Sequence, residues 1–299
     1  MKVTICTPTY NRDSCLMVLY ESLRKQKCCD FEWLVIDDGS IDNTESVIMD
    51  YMNKEEKFSI KYIKKENGGK HTALNVGVAN ARGEYFLVVD SDDFLSDDAV
   101  ETIIKCFDNV PKDYAGVAFN KMFTNGQLVG TTFKGDYLDA TSLERPKHNI
   151  NGDKTEVFFT KVLKNYPFPV FEGERFLPEA VVWNRIAKDG YKLRWYNKCF
   201  YYCEYQVDGL SMTVNVYNNF NGYTLYIKEL NLYKETNLLE KLKNVGVYTY
   251  HAKKMNISYK EIKKSISVNG LTLVISKTLY LLKLKFSRNL RKEKLNVKE

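Results

Sequence analysis

The chain has 299 residues, of which 44% are hydrophobic and 27% charged, a balance typical of a globular protein that can bury a sizeable core. Its net charge of +6 is too small an excess to argue for or against a nucleic-acid partner. The best apolar run, near the C-terminus, is interrupted by Lys277 before it reaches the ~20 residues that a spanning helix needs, so we expect no membrane-spanning helix.

The first third of the sequence alternates apolar runs with amphipathic segments, which is the pattern of βαβ units. It predicts strands at 3–6, 31–36, 60–63 and 85–89 and helices at 16–23, 44–52 and 71–81. This alternation predicts an α/β fold with a Rossmann-like, mostly parallel sheet flanked by helices. The loops after the strands should meet at one crevice, where open α/β sheets bind ligands. Because strand 3–6 begins at once, we expect no secretory leader and a cytoplasmic location.

Three carboxylates follow the fourth strand within four positions, in the motif Asp90-Ser91-Asp92-Asp93. Oxygen ligands at such a density favour Mg²⁺ or Mn²⁺, which proteins usually hold with one or two carboxylates and the phosphates of a substrate. The alternative is a helix cap, which explains Asp97 and Asp98 well but the earlier acids poorly. On this segment alone both interpretations stay open.

The pattern changes in the second part of the chain. From 115 to 211 we predict shorter strands, a helix at 155–163 and another helix after Pro178, and from 217 onward a helical region rich in Lys and Leu with a turn at 244–246. The predicted domains are therefore 1–215, in two halves at 1–114 and 115–215, and a helical C-terminal region at 216–299.

Seven cysteines, an odd count, show no repeated C-x₂-C spacing, and none of the three histidines has a partner four residues on. We therefore expect reduced thiols and no zinc site. In the tail, an apolar stripe at 271–284 is surrounded and followed by Lys and Arg. It fits either a basic amphipathic helix on an anionic membrane surface or a core-packed helix with a solvated basic end.

Five elements in the first third resemble family-2 glycosyltransferases, which have the GT-A nucleotide-diphospho-sugar transferase fold. They are Thr-Pro-Thr-Tyr-Asn-Arg at 7–12, Asp-Asp-Gly-Ser-x-Asp at 37–42, Asn-Gly-Gly-Lys at 67–70 leading into Ala-Leu-Asn-x-Gly at 73–77, Ala-Arg-Gly-Glu-Tyr at 81–85, and the acidic motif at 90–93. Looser patterns at 173–179 and 208–211 resemble acceptor-side elements of bacterial members. The resemblance implies that 1–114 is a nucleotide-binding half and 115–215 an acceptor half.

The resemblance also implies roles for individual residues. The donor-binding residues would be Pro8, Tyr10, Asp38, Lys70, Asp90 and Ser91, and the metal ligand would be Asp92. Asp38 would accept the N3–H of a uracil or thymine ring, and Lys70 would face the base or the diphosphate. Each role has an ordinary alternative: a turn cap for Asp38, which Asp37 or Asp42 could supply equally well, packing for Tyr10, and a solvated lysine for Lys70.

On the acceptor side, the resemblance implies a general base at Glu179, with Glu174 in reserve. The chain departs from the commoner Glu-Asp pair because Ala180 follows, and a first-turn acid that complements a helix dipole is the alternative for Glu179. Trp183 fits either a sugar-stacking surface or the core. Asp208 is the one candidate for a late metal ligand.

The expected function is that of a glycosyltransferase dependent on Mn²⁺ or Mg²⁺ and inverting in its stereochemistry. It would move a sugar from a UDP- or dTDP-sugar to a hydroxyl of a glycan or lipid-linked saccharide in cell-surface polysaccharide synthesis. The inner face of the cell membrane is a further candidate partner through the tail, and no nucleic acid is expected. The alternative is a non-catalytic nucleotide-sugar-binding or membrane-scaffold subunit. A nucleotidyltransferase is disfavoured because 7–12 lacks a Gly-rich basic loop.

Overall fold

The computed structural model describes residues 1–204 and 214–296, with side chains as far as residue 285. The chain divides into two compact units, Met1–Val214 and a second from Asn215 onward.

The first unit contains a mixed sheet with helices around it. Its strands are β1 (Val3–Thr9), β2 (Phe31–Asp37), β3 (Ser59–Lys64), β4 (Tyr85–Val88), β5 (Phe94–Leu95), β6 (Gly116–Phe123), β7 (Tyr137–Ala140), β8 (Lys154–Phe159) and β9 (Leu193–Cys203). Its helices are α1 (Leu16–Arg24), α2 (Thr44–Lys54), α3 (Lys70–Asn80), α4 (Ala99–Phe107), α5 (Thr160–Leu163) and α6 (Ala180–Lys188), with a 3₁₀ helix at Ser142–His148.

The strand order is β3-β2-β1-β4-β8-β6-β9-β5, and β7 also pairs with β9. The four strands of the first half are parallel to one another, as the βαβ pattern predicts, so the loops that follow β1, β2 and β4 lie at one edge of the sheet. Strands β1 and β2 are buried at every position. Burial on both faces explains why their sequences are mostly apolar runs and do not alternate between apolar and polar residues. The predicted Rossmann-like sheet is confirmed.

The predicted helix at 155–163 is wrong for most of its length. Residues 154–159 form β8, which pairs antiparallel with both β4 and β6, and the helix begins only at Thr160. The segment Thr-Glu-Val-Phe-Phe is rich in β-branched and aromatic residues, which pack well on a pleated surface. Four apolar or β-branched residues in a run of five fit a strand and a helix equally on periodicity, and sheet pairing decides between them.

The second unit is helical. A 3₁₀ turn at Val216–Asn219 leads into α7 (Phe220–Leu232), α8 (Leu238–Lys254), α9 (Tyr259–Ser265) and α10 (Gly270–Asn296). The predicted turn at 244–246 is wrong, because α8 runs through it without a break. Gly246 serves helix packing instead: a Cβ there would lie 2.6 Å from the carbonyl oxygen of Ser276 in α10.

Within the described residues, no single helix is both long and apolar enough to cross a bilayer. Helix α9 and the part of α10 up to Lys285 meet that measure of length and composition only when they are counted together, across a bend of 106°.

Candidate active site

The loops after β1 and β2 are fastened to each other at the carboxyl edge of the sheet. The backbone N–H of Asn11 donates to Ser40 Oγ at 2.9 Å, and Asn11 Oδ1 accepts from the Ile41 N–H at 2.9 Å. Asn11 adopts a left-handed φ of 51°, which its short polar side chain tolerates. Within this pair of loops, Pro8 is buried in β1 and Tyr10 is exposed. The exposed ring of Tyr10 is therefore accessible to a ligand at this edge.

Asp37 and Asp38 take different tasks in the second loop. Asp37 caps the turn, since its Oδ1 accepts from the Ser40 N–H at 2.7 Å and its Oδ2 accepts from the Tyr62 hydroxyl at 2.5 Å. The turn-cap alternative thus falls to Asp37, and Asp38 turns toward the third loop.

The buried carboxylate of Asp38 holds the start of α3. Its Oδ1 accepts from Lys65 Nζ at 2.6 Å and from the Gly68 N–H at 3.0 Å, and its Oδ2 accepts from the Gly69 N–H at 2.6 Å. These three donors occupy most of the roughly four acceptor positions of a carboxylate. Asp38 therefore fixes the turn that presents Lys70, a role that its sequence motif does not reveal.

Gly69 allows the segment that contains Arg175 to lie against this turn. Its φ is +91°, and a Cβ there would lie 1.9 Å from the carbonyl oxygen of Arg175, so only glycine fits. Glu174, the reserve candidate for the base, is buried in the neighbouring segment. Nearby, burial lowers the pKa of His71 despite the opposing charges of Asp38 and Glu174. The 173–179 segment thus lies beside the start of α3.

Lys70 connects the two halves directly. Its ammonium lies 2.6 Å from Asp90 Oδ1 and 2.8 Å from Glu179 Oε1. Burial alone would lower the pKa of Lys70, but the two carboxylates outweigh it and raise that pKa. Burial would likewise raise the pKa of Asp90, and the charges of Lys70 and Lys121 outweigh it and lower that pKa. The donor-side acid and the acceptor-side acid predicted from the sequence therefore share one cation.

Tyr201 of β9 holds the acidic motif in place through hydrogen bonds. The Tyr201 hydroxyl donates to Asp93 Oδ2 at 2.6 Å and accepts from the backbone N–H of Asp90 at 3.0 Å. Burial, and then the charge of Asp90, raises the pKa of Asp93 to about 7 and also raises the pKa of Asp92. Ser91, which follows Asp90 in the sequence, is also buried. One fully buried hydroxyl therefore fixes both ends of the motif.

Three further residues of this site carry no sequence signal. Lys121 of β6 lies in register with Tyr201, and its ammonium is 4.1 Å from the centre of that ring. Burial raises the pKa of Glu156 of β8 to about 7, with Glu179 adding to the shift and Arg145 and Lys121 opposing it. Arg145 lies 3.9 Å from the Glu156 carboxylate. The pairing of β6, β8 and β9 brings Lys121 and Glu156 to this site, and Arg145 reaches Glu156 from the 3₁₀ helix at Ser142–His148.

The side-chain oxygen atoms of residues 90–93 fit a hard cation such as Mg²⁺ or Mn²⁺. This motif offers only oxygen atoms, and burial beside Asp90 makes the charge of the Asp92 carboxylate unfavourable unless a cation is near. Mg²⁺ and Mn²⁺ take the rest of their ligands from water and phosphate oxygens, so one or two side chains suffice. In the described residues there is no group of three or more His, Cys, Asp or Glu that forms a metal site on its own. The residues present therefore fit a metal shared with a substrate.

Two other candidates lie outside this cluster. Trp183 belongs to the core, where it is buried and its ring lies 4.4 Å from that of Phe158. Asp208 and the pattern at 208–211 fall outside the described residues.

The chain matches the model of glycosyl transferase family 2 over residues 4–165. A protein of Campylobacter jejuni named GalNAc(5)-diNAcBac-PP-undecaprenol beta-1,3-glucosyltransferase is 27% identical over 284 residues, which cover 89% of this chain and 89% of that protein. Glycosyltransferase GlyA of Streptococcus pneumoniae is 27% identical over 195 residues, which cover 64% of this chain but only 27% of GlyA.

Solved structures show the same fold. Staphylococcus aureus TarS 1-349 in complex with UDP-GlcNAc superposes with a TM-score of 0.64 at 22% identity, covering 94% of this chain and 80% of that one. A mannosyltransferase of Pyrobaculum calidifontis in complex with GDP-Man and Mn²⁺ superposes with a TM-score of 0.52 at 16% identity, covering 97% and 80%. At these identities the likeness shows the fold alone, and it confirms the predicted GT-A architecture.

Proposed function

This chain belongs to glycosyl transferase family 2, whose model matches more than half of its length, and we propose that it transfers a sugar from a UDP- or dTDP-sugar to a hydroxyl of a glycan or lipid-linked saccharide. The observation that carries this proposal is the contact of Lys70 with both Asp90 and Glu179. A transfer between two substrates needs groups for the donor and for the acceptor at one point, and these three side chains meet that need.

The relatives support both substrates. TarS binds UDP and UDP-GlcNAc in its crystal structures, which supports a uridine nucleotide as donor. The Campylobacter relative, which aligns over most of both chains, is named for a saccharide linked through pyrophosphate to undecaprenol. That name supports a lipid-linked saccharide as acceptor.

On the donor side, Tyr10 and Pro8 frame the base, while Asp38 and Ser91 complete the nucleotide pocket. Asp38 has room for one further donor beyond its three present ones, such as the N3–H of a uracil or thymine ring. Lys70 lies at the first position of α3, where the backbone N–H groups and the helix dipole also favour an anion. The diphosphate therefore belongs beside Lys70 at the start of α3, and Asp90 would lie near the ribose.

Asp92 would hold Mn²⁺ or Mg²⁺. When bound, such an ion stabilises the negative charge that develops on the departing nucleoside diphosphate. Tyr201 and Lys121 keep the motif in place for it.

Glu179 would act as general base and accept the proton of the attacking hydroxyl. Direct attack opposite the leaving group forms no covalent intermediate and inverts the anomeric centre. The β linkages in the names of the Campylobacter and Staphylococcus relatives are what inversion of an α-linked sugar nucleotide gives. Glu174 is the reserve for this role.

A cytoplasmic location fits the cysteines, because all seven are free in the structure.

The test is a panel of sugar nucleotides assayed with and without Mn²⁺ for thermal stabilisation and for release of nucleoside diphosphate. We expect one UDP- or dTDP-sugar to stabilise the protein and to release its nucleoside diphosphate in a metal-dependent reaction. The competing function is a nucleotide-sugar-binding or scaffold subunit without turnover. Stabilisation by a donor with no release under any acceptor or metal condition would establish that function instead.

A further inference from the structure

We propose that the helical unit binds an anionic lipid bilayer through one face of α10. The sequence leaves two interpretations of this segment, a surface helix or a core-packed helix. The structure shows that one face of α10 is packed in the helical unit and the opposite face is exposed.

One face of α10 packs against α8. Leu273 and Ser276 are buried on this face, and Gly246 of α8 allows the two backbones to approach closely. A Cβ at Gly246 would also lie 3.0 Å from Cβ of Tyr280, one turn further along α10. The packing of α10 against α8 therefore buries only one face of α10.

The opposite face is apolar and exposed. Leu271, Val274 and Leu282 have 71%, 62% and 59% of their surface accessible, and Ile275 and Leu281 are exposed beside them. At 3.6 residues per turn these five side chains fall within an arc of about 120°. Leucines, isoleucine and valine on one continuous stripe of that width are the apolar half of an interfacial helix.

Basic residues border this stripe. Lys277 and Lys283 lie on either side of it by the same helical geometry, and Lys277 also lies 4.9 Å from the ring of Tyr259. Long lysine side chains at such positions extend their ammonium groups toward phosphate headgroups while their methylene chains cover apolar surface. The sequence beyond residue 285 adds further Lys and Arg.

Charge selects the occupant of the stripe. Residues 215–299 contain 17 Lys and Arg against 6 Asp and Glu, a net charge of +11, whereas residues 1–214 contain 27 against 32, a net charge of −5. A second copy of the same unit would bring like charge to like charge. An anionic bilayer attracts it, and the negative surface potential of a cytoplasmic leaflet acts on every basic group near the surface. The partner that fits both the apolar stripe and the charge is therefore a membrane surface rich in acidic phospholipid.

The benefit of this contact rests on the proposed function, because a lipid-linked acceptor is found only at the bilayer. Confinement to that surface raises the effective concentration of enzyme and acceptor for each other. The binding itself needs neither donor nor acceptor and is measured without them.

The experiment is sedimentation of the full chain with vesicles of phosphatidylcholine and phosphatidylglycerol, compared with vesicles of phosphatidylcholine alone. We expect binding at least about tenfold stronger to the anionic vesicles, weakening as salt is raised. The double substitution Leu281→Gln with Leu282→Gln, which keeps good helix propensity, should weaken binding by about tenfold or more. The matched control is Leu238→Gln with Leu239→Gln, an adjacent and even more exposed pair at the start of α8, which should bind as the parent does within about twofold.

Equal binding to both kinds of vesicle would overturn the proposal, as would an equal loss in the control pair. A dimer in solution that is lost in the Leu281/Leu282 variant, without vesicle binding by the parent, would assign the stripe to a second copy. Release of nucleoside diphosphate without vesicles is measured on the same samples. Vesicle binding without release of nucleoside diphosphate would support membrane binding and contradict the proposed function. Release of nucleoside diphosphate without vesicle binding would support the proposed function and contradict membrane binding.

Discussion

Lys70 and Glu179 form an ion pair with 2.8 Å between Nζ and Oε1, although Lys70 begins α3 and Glu179 immediately precedes α6, more than 100 residues further along the chain. The same ammonium lies 2.6 Å from Asp90. Removal of the Lys70 ammonium leaves the partly buried carboxylates of Asp90 and Glu179 without their shared cation. The repulsion between two such like charges favours uptake of a proton by one of them.

The substitution Lys70→Met, which keeps side-chain length, should therefore reduce kcat/KM for sugar transfer by about 100-fold or more. The matched control is Lys64→Met, which removes an exposed lysine that pairs with Glu45 at the surface. Such surface pairs contribute little, so this control should stay within about twofold of the parent. Comparable losses in the two variants would show that Lys70 has no special place in the reaction.

Tyr201 should position the acidic motif rather than react. The substitution Tyr201→Phe removes the hydroxyl that joins Asp93 to the Asp90 backbone and keeps the ring. Groups that orient a metal ligand typically matter by 10- to 100-fold in affinity, so we expect the half-saturating Mn²⁺ concentration to rise by about tenfold in a paramagnetic-resonance titration. The control Tyr202→Phe alters the neighbouring ring, which stacks on Phe94, and should leave Mn²⁺ binding unchanged. Unaltered Mn²⁺ binding in Tyr201→Phe would contradict this role.

Asp92→Asn should abolish the stimulation of turnover by Mn²⁺. The amide keeps the shape of the side chain and loses the charge that a hard cation requires. Release of nucleoside diphosphate is measured across a Mn²⁺ titration after treatment with a chelator. Asp97→Asn, an exposed acid just beyond the motif, serves as the control and should respond to Mn²⁺ as the parent does. Retained stimulation in Asp92→Asn would move the metal site elsewhere.

Glu32 should contribute stability that depends on pH. It is fully buried and accepts from the Thr4 hydroxyl at 2.7 Å, the Arg82 N–H at 2.8 Å and Arg82 Nε at 2.7 Å. Burial alone would raise the pKa of Glu32, but these three donors outweigh it and lower that pKa below its usual 4.5.

The unfolded chain then binds the Glu32 proton more readily, so the contribution is full above about pH 5 and falls as the pH drops through the native pKa. Glu32→Gln should lower the free energy of unfolding in urea by about 2 kcal/mol at pH 7, and the difference from the parent should shrink toward pH 3. A difference that stays constant between these pH values would show that the charge of Glu32 is not what stabilises the fold.

The sequence predicts the parallel half of the fold because each element there has its own local signal. Buried parallel strands such as Phe31–Asp37 read as apolar runs, and amphipathic segments lie between them. The segment Lys154–Phe159 has no such signal, since its choice between strand and helix depends on partners in β4 and β6. Gly246 suggests a turn from its type alone, and only the proximity of Ser276 shows that it allows two helices to pack.

The same division applies to the site. Asp38, Lys70 and Asp90 lie in short motifs directly after strands, where local sequence suffices to find them. Tyr201 and Lys121 are single residues in ordinary strands, and they meet only because β6 and β9 pair in a particular register. Residues that act through tertiary register leave no spacing to detect in one sequence.

The most direct test of the account is the substitution Glu179→Gln, with donor binding and sugar transfer measured on the same preparation. We expect calorimetric binding of the active UDP- or dTDP-sugar with Mn²⁺ to change by less than about threefold, whereas transfer should fall by about 1,000-fold, the loss typical of a missing general base. Glu172→Gln, an exposed neighbour, is the matched control and should change neither quantity. Near-normal transfer by Glu179→Gln, together with its loss in Glu174→Gln, would contradict the assignment and give the role of base to Glu174.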